Sequence, residues 1–247
     1  MEAKGVGHTS PRVSEDRATE QRGRRLLNAI ERLVCEPDEI IEAVEILKYN
    51  DEPGAAPSEN AFLRGVAADI ISTYSTRSAI GGGLTAAPAV VPGVGTLVAT
   101  VGGSMVDMAW MLRQEVEMAL CLTYLYGFDI TDERERWLAY GLASISTYDA
   151  RDGRNYFADL AEAQIEAMVK YTPRQLSKLV ATQLGKLALA RAPGGFFRAV
   201  PLVGVVVSAS GNKVLTSAVG WRCQAALARR RQADRLHDAA IVDATVR

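Results

Sequence analysis

Apolar side chains recur at helical spacing along most of this chain. Leu26, Leu27, Ile30, Leu33 and Val34 follow Arg22 at such intervals. They predict a first helix that ends at Glu36-Pro37, because a residue before proline leaves the α region. Pro37-Asp38-Glu39 opens a second helix, with early acids favouring its N-terminus. Its inner face is Ile40, Ile41, Val44 and Leu47. The stretch from Asn50 to Ser58 reads as a loop, and Phe62, Val66, Ile70 and Tyr74 begin a third helix. A long helix is expected from about Gly95 to Tyr126, closed by Gly127 in the left-handed conformation. Thr131 reads as the next N-cap. Trp137, Leu138, Leu142 and Ile145 supply that helix's buried face, and a polar loop follows from Asp149 to Arg154. Phe157, Leu160, Ile165, Met168 and Val169 place another helix. Thr172-Pro173 starts a further one, amphipathic through Leu176, Leu179, Val180, Leu184 and Leu187. The last helix runs from about Val203 to beyond Arg230. Val205-Val206-Val207 is the nearest approach to a strand, and its repeat partner argues that it is helical.

Charge vanishes twice along this pattern. From Ala79 to Val106 there is no Asp, Glu, Lys or Arg, and a shorter uncharged stretch spans Ala199 to Asn212. The two align: Val91-Pro92 on Val200-Pro201, Gly95 on Gly204, Gly102 on Gly211, and Arg113 on Arg222. Gly95, Ala99 and Gly103 share a four-residue spacing, as do Gly204, Ser208 and Asn212. Small residues so spaced let two helices approach closely. The first stretch has the length of a membrane span, which needs about 20 apolar residues. Its Gly, Ala and Thr content and its prolines favour buried, close-packed helices over a full span, with a hairpin at a membrane surface as the sharper alternative. The expected fold is all-α: one multi-helix domain over residues 23–235, with the two glycine-rich helical repeats packed at its centre. Residues 1–22 are expected to be a disordered polar tail without the apolar core of a signal peptide, and 236–247 a C-terminal tail.

Three blocks carry a family resemblance. The first is Ile80-Gly81-Gly82-Gly83 through Val91-Pro92-Gly93-Val94-Gly95. The second is Asp107 with Arg113-Gln114 and Tyr126-Gly127-Phe128-Asp129. The third is Pro201-Leu202-Val203-Gly204 with Gly211-Asn212 and the Arg222 helix. In this order and spacing, over about residues 60–231, the chain resembles the EcsC family of bacterial proteins. The resemblance implies a mainly helical fold and points toward the membrane and toward transport or secretion. It implies no reaction.

Composition narrows the chemistry. The chain has 247 residues, 48% of them hydrophobic, enough for a sizeable core. A net charge of −1 conceals an acidic first third, with Glu36, Asp38, Glu39, Glu42 and Glu45. The last third is basic, with Arg222, Arg229, Arg230, Arg231 and Arg235, which suits an anionic surface. Cys35, Cys121 and Cys223 are odd in number and far apart, as in a reduced, cytoplasmic chain rather than a disulfide scaffold. The histidines, His8 and His237, fall in the expected tails, which argues against a histidine base, a catalytic triad or a histidine-bound metal. No phosphate loop or dinucleotide motif is complete, so no cofactor is expected. The arginine run lacks aromatic interleaving, so nucleic acid is not an expected partner; a membrane surface or membrane protein is.

Asp107 is the first acid after the uncharged stretch. It shares a helical face with Gln114, and a buried carboxylate there would need a partner such as Arg113, Asn212 or Arg222. The favoured reading is a structural link between the repeats. Glu115 and Glu117 are expected on a solvated or interhelical face, and Trp110 and Trp221 in the core or at a membrane interface. The leading expectation is a non-catalytic membrane-associated or interaction protein, presenting Gly95, Gly103, Gly204 and Gly211 in its membrane or packing segments. A helical protein with an apolar pocket near Asp107 for a small molecule or lipid is the rival. An enzyme using Asp107 is the third class.

Overall fold

Leu26, Leu27 and Ile30 are buried, as their spacing requires, on the first of the seven helices found among the described residues. The computed structural model describes residues 11–51, 57–81, 106–152, 167–190 and 206–245. The helices are α1 (Pro11–Glu31), α2 (Pro37–Asn50), α3 (Glu59–Gly81), α4 (Val106–Leu125), α5 (Glu133–Asp152), α6 (Pro173–Ala190) and α7 (Val206–Thr245). They pack as one all-α domain, with no strand among the described residues. Gly95, Gly103 and Gly204 lie outside the described residues, as do residues 1–10, most of the first uncharged stretch and half of the second.

Helix boundaries follow local chemistry. In α2 the Glu39 carboxylate accepts the Glu36 backbone N–H at 3.1 Å, satisfying a donor at the helix start. The α4 C-terminus closes on Gly127 at φ 90°. Gly127 N–H bonds the Tyr124 carbonyl at 2.9 Å and Phe128 N–H bonds the Thr123 carbonyl at 3.1 Å, a Schellman closure that needs glycine. Thr172 caps α6 through Gln175, whose side-chain oxygen accepts the Thr172 N–H at 2.9 Å.

Four boundary expectations need correction. Asp132, not Thr131, caps α5: its carboxylate accepts the Arg134 N–H at 2.9 Å. The Thr131 hydroxyl is taken instead by Asp129 at 2.6 Å. The helix also continues to Asp152, through the start of the expected polar loop. Residues 11–22 are helical because α1 lies along α6. There a Cβ on Gly23 would collide with the Ala181 carbonyl, and one on Gly185 with the Thr19 carbonyl. Contact between backbones holds a polar segment without an apolar stripe. At the other end α7 continues to Thr245, so residues 236–245 are helical, although 232–242 are solvent-exposed.

The core centres on α4, which packs against α1, α2, α3, α5 and α7. Every residue from 114 to 123 is buried, as expected of a helix surrounded on all sides. The helices that follow the two uncharged stretches, α4 and α7, touch each other. At Gly220 an added Cβ would stand 2.7 Å from Ile71 and 2.9 Å from Met118, so α7 lies close to α3 and α4 there. Around Gly211, by contrast, no atom of the described residues outside its own helix backbone and chain neighbours lies within 4 Å of a built Cβ. No helix among the described residues is long and apolar enough to cross a membrane.

Candidate functional site

The face of α4 that carries Arg113 and Gln114 opens into a cleft between α2, α3 and α4. Its volume is about 330 Å³. Helical spacing gathers its α4 wall: Trp110, Arg113, Gln114 and Glu117 are three or four residues apart. Cys35, Tyr74 and Arg77 close it from the neighbouring segments.

Most polar groups in the cleft are paired. Arg113 Nε donates to Glu117 Oε1 at 2.9 Å, an (i, i+4) pair whose carboxylate is 3% exposed. The same oxygen accepts the Cys35 backbone N–H at 3.1 Å. The Arg113 guanidinium stacks 5.2 Å from the Trp110 ring centroid, and Arg77 stacks 5.2 Å from that of Tyr74. Burial pushes the Cys35 thiol above its usual range, and the Glu117 carboxylate adds to the effect. A thiol held neutral in this way is a weak nucleophile. Tyr74 and Cys121 meet behind the cleft, their oxygen and sulfur 3.5 Å apart. Among the described residues no group of three His, Cys, Asp or Glu side chains is arranged to hold a metal ion.

Two polar atoms break the pattern. Gln114 is 3% exposed, and its Oε1 has no hydrogen-bond partner among the described residues. Trp110 Nε1 is likewise buried and unpartnered there. One is an acceptor and the other a donor, on residues one turn apart that line the same cleft. A buried polar atom left unsatisfied costs about 1–3 kcal/mol. A molecule offering both a donor and an acceptor would relieve both.

The expected site residues therefore separate. Arg113 and Gln114 come together in the cleft. Asp107 lies in the first turn of the same helix, and its side chain falls outside the described residues. Asn212 and Arg222 belong to α7, away from the cleft lining; Arg222 Nη1 donates to the Ser146 carbonyl at 3.5 Å. Glu115 and Glu117 are both buried, so the solvated alternative for them is excluded. Glu115 ties four helices together. Its carboxylate accepts the Thr147 hydroxyl of α5 at 2.6 Å and the Thr216 hydroxyl of α7 at 3.4 Å. Thr216 also meets Ser78 of α3 at 3.0 Å. Trp110, Cys35 and Arg77 were not anticipated in the cleft. The (i, i+3) and (i, i+4) spacing of Trp110 to Arg113 and Gln114 was the available signal.

No family model, curated protein or solved structure matches this chain.

Proposed function

We propose that this chain is a non-catalytic helical binding protein whose ligand is a small polar molecule held in the α2–α3–α4 cleft. The reading rests on one observation: a buried donor and a buried acceptor, both unpartnered among the described residues, on side chains lining one cleft. The ligand class follows from that pair. It carries a hydrogen-bond acceptor for the Trp110 indole and a donor for the Gln114 carbonyl, on an apolar body that rests against the rings of Trp110 and Tyr74. A primary carboxamide or a lactam on a small ring has this character. Asp107, at the start of the same helix, is a further candidate contact.

Thermal-shift measurements on the full chain with a panel of carboxamides and lactams test the reading. Compounds that raise the melting temperature of the wild type and not of Gln114→Met support it. A panel with no effect, or with effects indifferent to that substitution, contradicts it.

A second reading keeps the EcsC-type role at a membrane or membrane partner, on the cytoplasmic side. In it the two uncharged segments pack helix to helix through Gly95, Gly103, Gly204 and Gly211, and the basic end of α7 meets an anionic surface. One surface feature favours it: Leu236, Ile241 and Val242 stand exposed beyond the arginines. Flotation with neutral and with anionic vesicles tests this reading. Recovery of all the protein in the soluble fraction under both conditions removes it.

A further inference from the structure

A second cleft, of about 500 Å³, lies between the start of α3 and the middle of α7. Arg64, Arg229, Arg231 and Arg235 line it, and no lining residue among the described ones is acidic. Asn60, Gln224 and Gln232 add neutral hydrogen-bonding groups. At the edge of this lining Glu59 forms ion pairs with Arg231 and Arg235. Those arginines hold the Glu59 carboxyl below its ordinary range, so it stays ionised at neutral pH.

One carboxylate does not balance the guanidinium groups of Arg64, Arg231 and Arg235. It does restrain two of them: Arg231 and Arg235 are one turn apart on α7, and both turn toward Glu59. Arg231 is then saturated on one side only. Its Nη2 meets Glu59, while its Nη1 is buried with no acceptor among the described residues. Arg64 faces this pair from α3, one turn after Asn60. Planar guanidinium forks on two facing helices suit the oxygens of a tetrahedral anion.

We propose that this cleft is a binding site for a phosphate monoester dianion. The dianion would sit between Arg64 and Arg231, accept from the unsatisfied Nη1, and offset the positive charge that Glu59 leaves. The volume has room for an organic group attached to the phosphate. The site shares no residue with the α2–α3–α4 cleft; Arg229, Arg231 and Arg235 do belong to the basic end of α7 that the membrane reading uses, so binding of orthophosphate without any membrane is what tells the two apart.

Two arms of one experiment separate the sources of such a group. In the first, orthophosphate is titrated calorimetrically into the full chain at low ionic strength. In the second, the chain is floated with phosphatidylcholine vesicles containing phosphatidic acid, whose headgroup is a phosphate monoester, or phosphatidylserine at matched charge. The account expects saturable orthophosphate binding that weakens about tenfold in the exposed variant Arg64→Gln and again in Arg231→Gln. Selective, Arg64-dependent recovery with phosphatidic acid identifies a lipid source; orthophosphate binding without such recovery identifies a free phosphate compound. The proposal is overturned if neither probe binds, if phosphatidylserine serves equally well, or if binding survives both substitutions.

Discussion

Gln114 is a polar side chain in a position where an apolar one would be more stable. Met111, Glu115, Glu117 and Met118 around it on α4 are buried, and its carbonyl has no partner among the described residues. Gln114→Met keeps the shape and removes the unsatisfied group. It is expected to raise unfolding stability by about 1 kcal/mol while abolishing ligand-dependent stabilisation. A loss of stability in urea melts of this variant would show that the amide is satisfied in the folded protein. Glu115 has the opposite character. Thr147 and Thr216 both donate to it. Truncation in Glu115→Ala removes the carboxylate that joins them, leaves Thr147 on the Ala143 carbonyl and Thr216 on Ser78, and opens a void, for an expected loss of about 3 kcal/mol, measurable by the same melts. The sequence drew attention to Asp107, because it ends an uncharged stretch. It could not single out Glu115, because a helix enclosed by neighbours has no polar stripe from which to read depth. Gln114 was legible as a candidate because it sits in register with Asp107, and Arg113 because a buried carboxylate at Asp107 would need a cationic partner; Trp110 was obscured because a tryptophan on a core helix ordinarily packs.

Elements with strong local chemistry were readable. The Glu36-Pro37 boundary, the Gly127 closure and the Thr172-Pro173 start each depend on residues within one turn. The segment from residue 11 to 22 was not readable as helix. Its docking depends on Gly23 meeting Gly185, 162 positions away, through backbone contact. Gly185→Val places a branched side chain against the Thr19 carbonyl and is expected to detach the first half of α1. Hydrogen exchange over residues 14–27 should accelerate, while exchange in α4 stays slow. Unchanged protection there would mean that α1 does not rely on this crossing. Farther along the chain, Arg230 joins α7 to α5 through two bonds to Glu135, at 2.6 and 2.7 Å, and stacks 3.9 Å from the Phe128 ring centroid. The sequence offered Arg230 only as part of a basic run. Its partner lies 95 positions back, and nothing local distinguishes it from Arg229.

At the scale of the whole molecule, buried acids link stability to pH. Burial pushes the Cys121 and Cys223 thiols up to about 12, against an ordinary value of 9.0. It also raises Tyr74 and Tyr140. Unfolded thiols ionise above pH 9 while the folded ones keep their protons, so their stabilising contribution is complete below pH 9 and falls as pH rises toward 12. At pH 10 the two thiols together should cost roughly 3 kcal/mol. The urea midpoint should therefore drop between pH 7.5 and pH 10; a constant midpoint would mean that the thiols are not buried. All-α architecture with α4 enclosed by its neighbours was broadly legible, because helical periodicity runs through nearly every segment. The clefts were not, because each is a product of how three helices or two diverge. The most direct test of the ligand cleft is the indole N–H resonance of Trp110 in ¹⁵N-labelled full-length protein, titrated with benzamide. The account predicts a saturable shift of that resonance, absent in Gln114→Met, with the Trp137 and Trp221 resonances unmoved. A Trp110 resonance that stays in place, or moves equally in the variant, would contradict it.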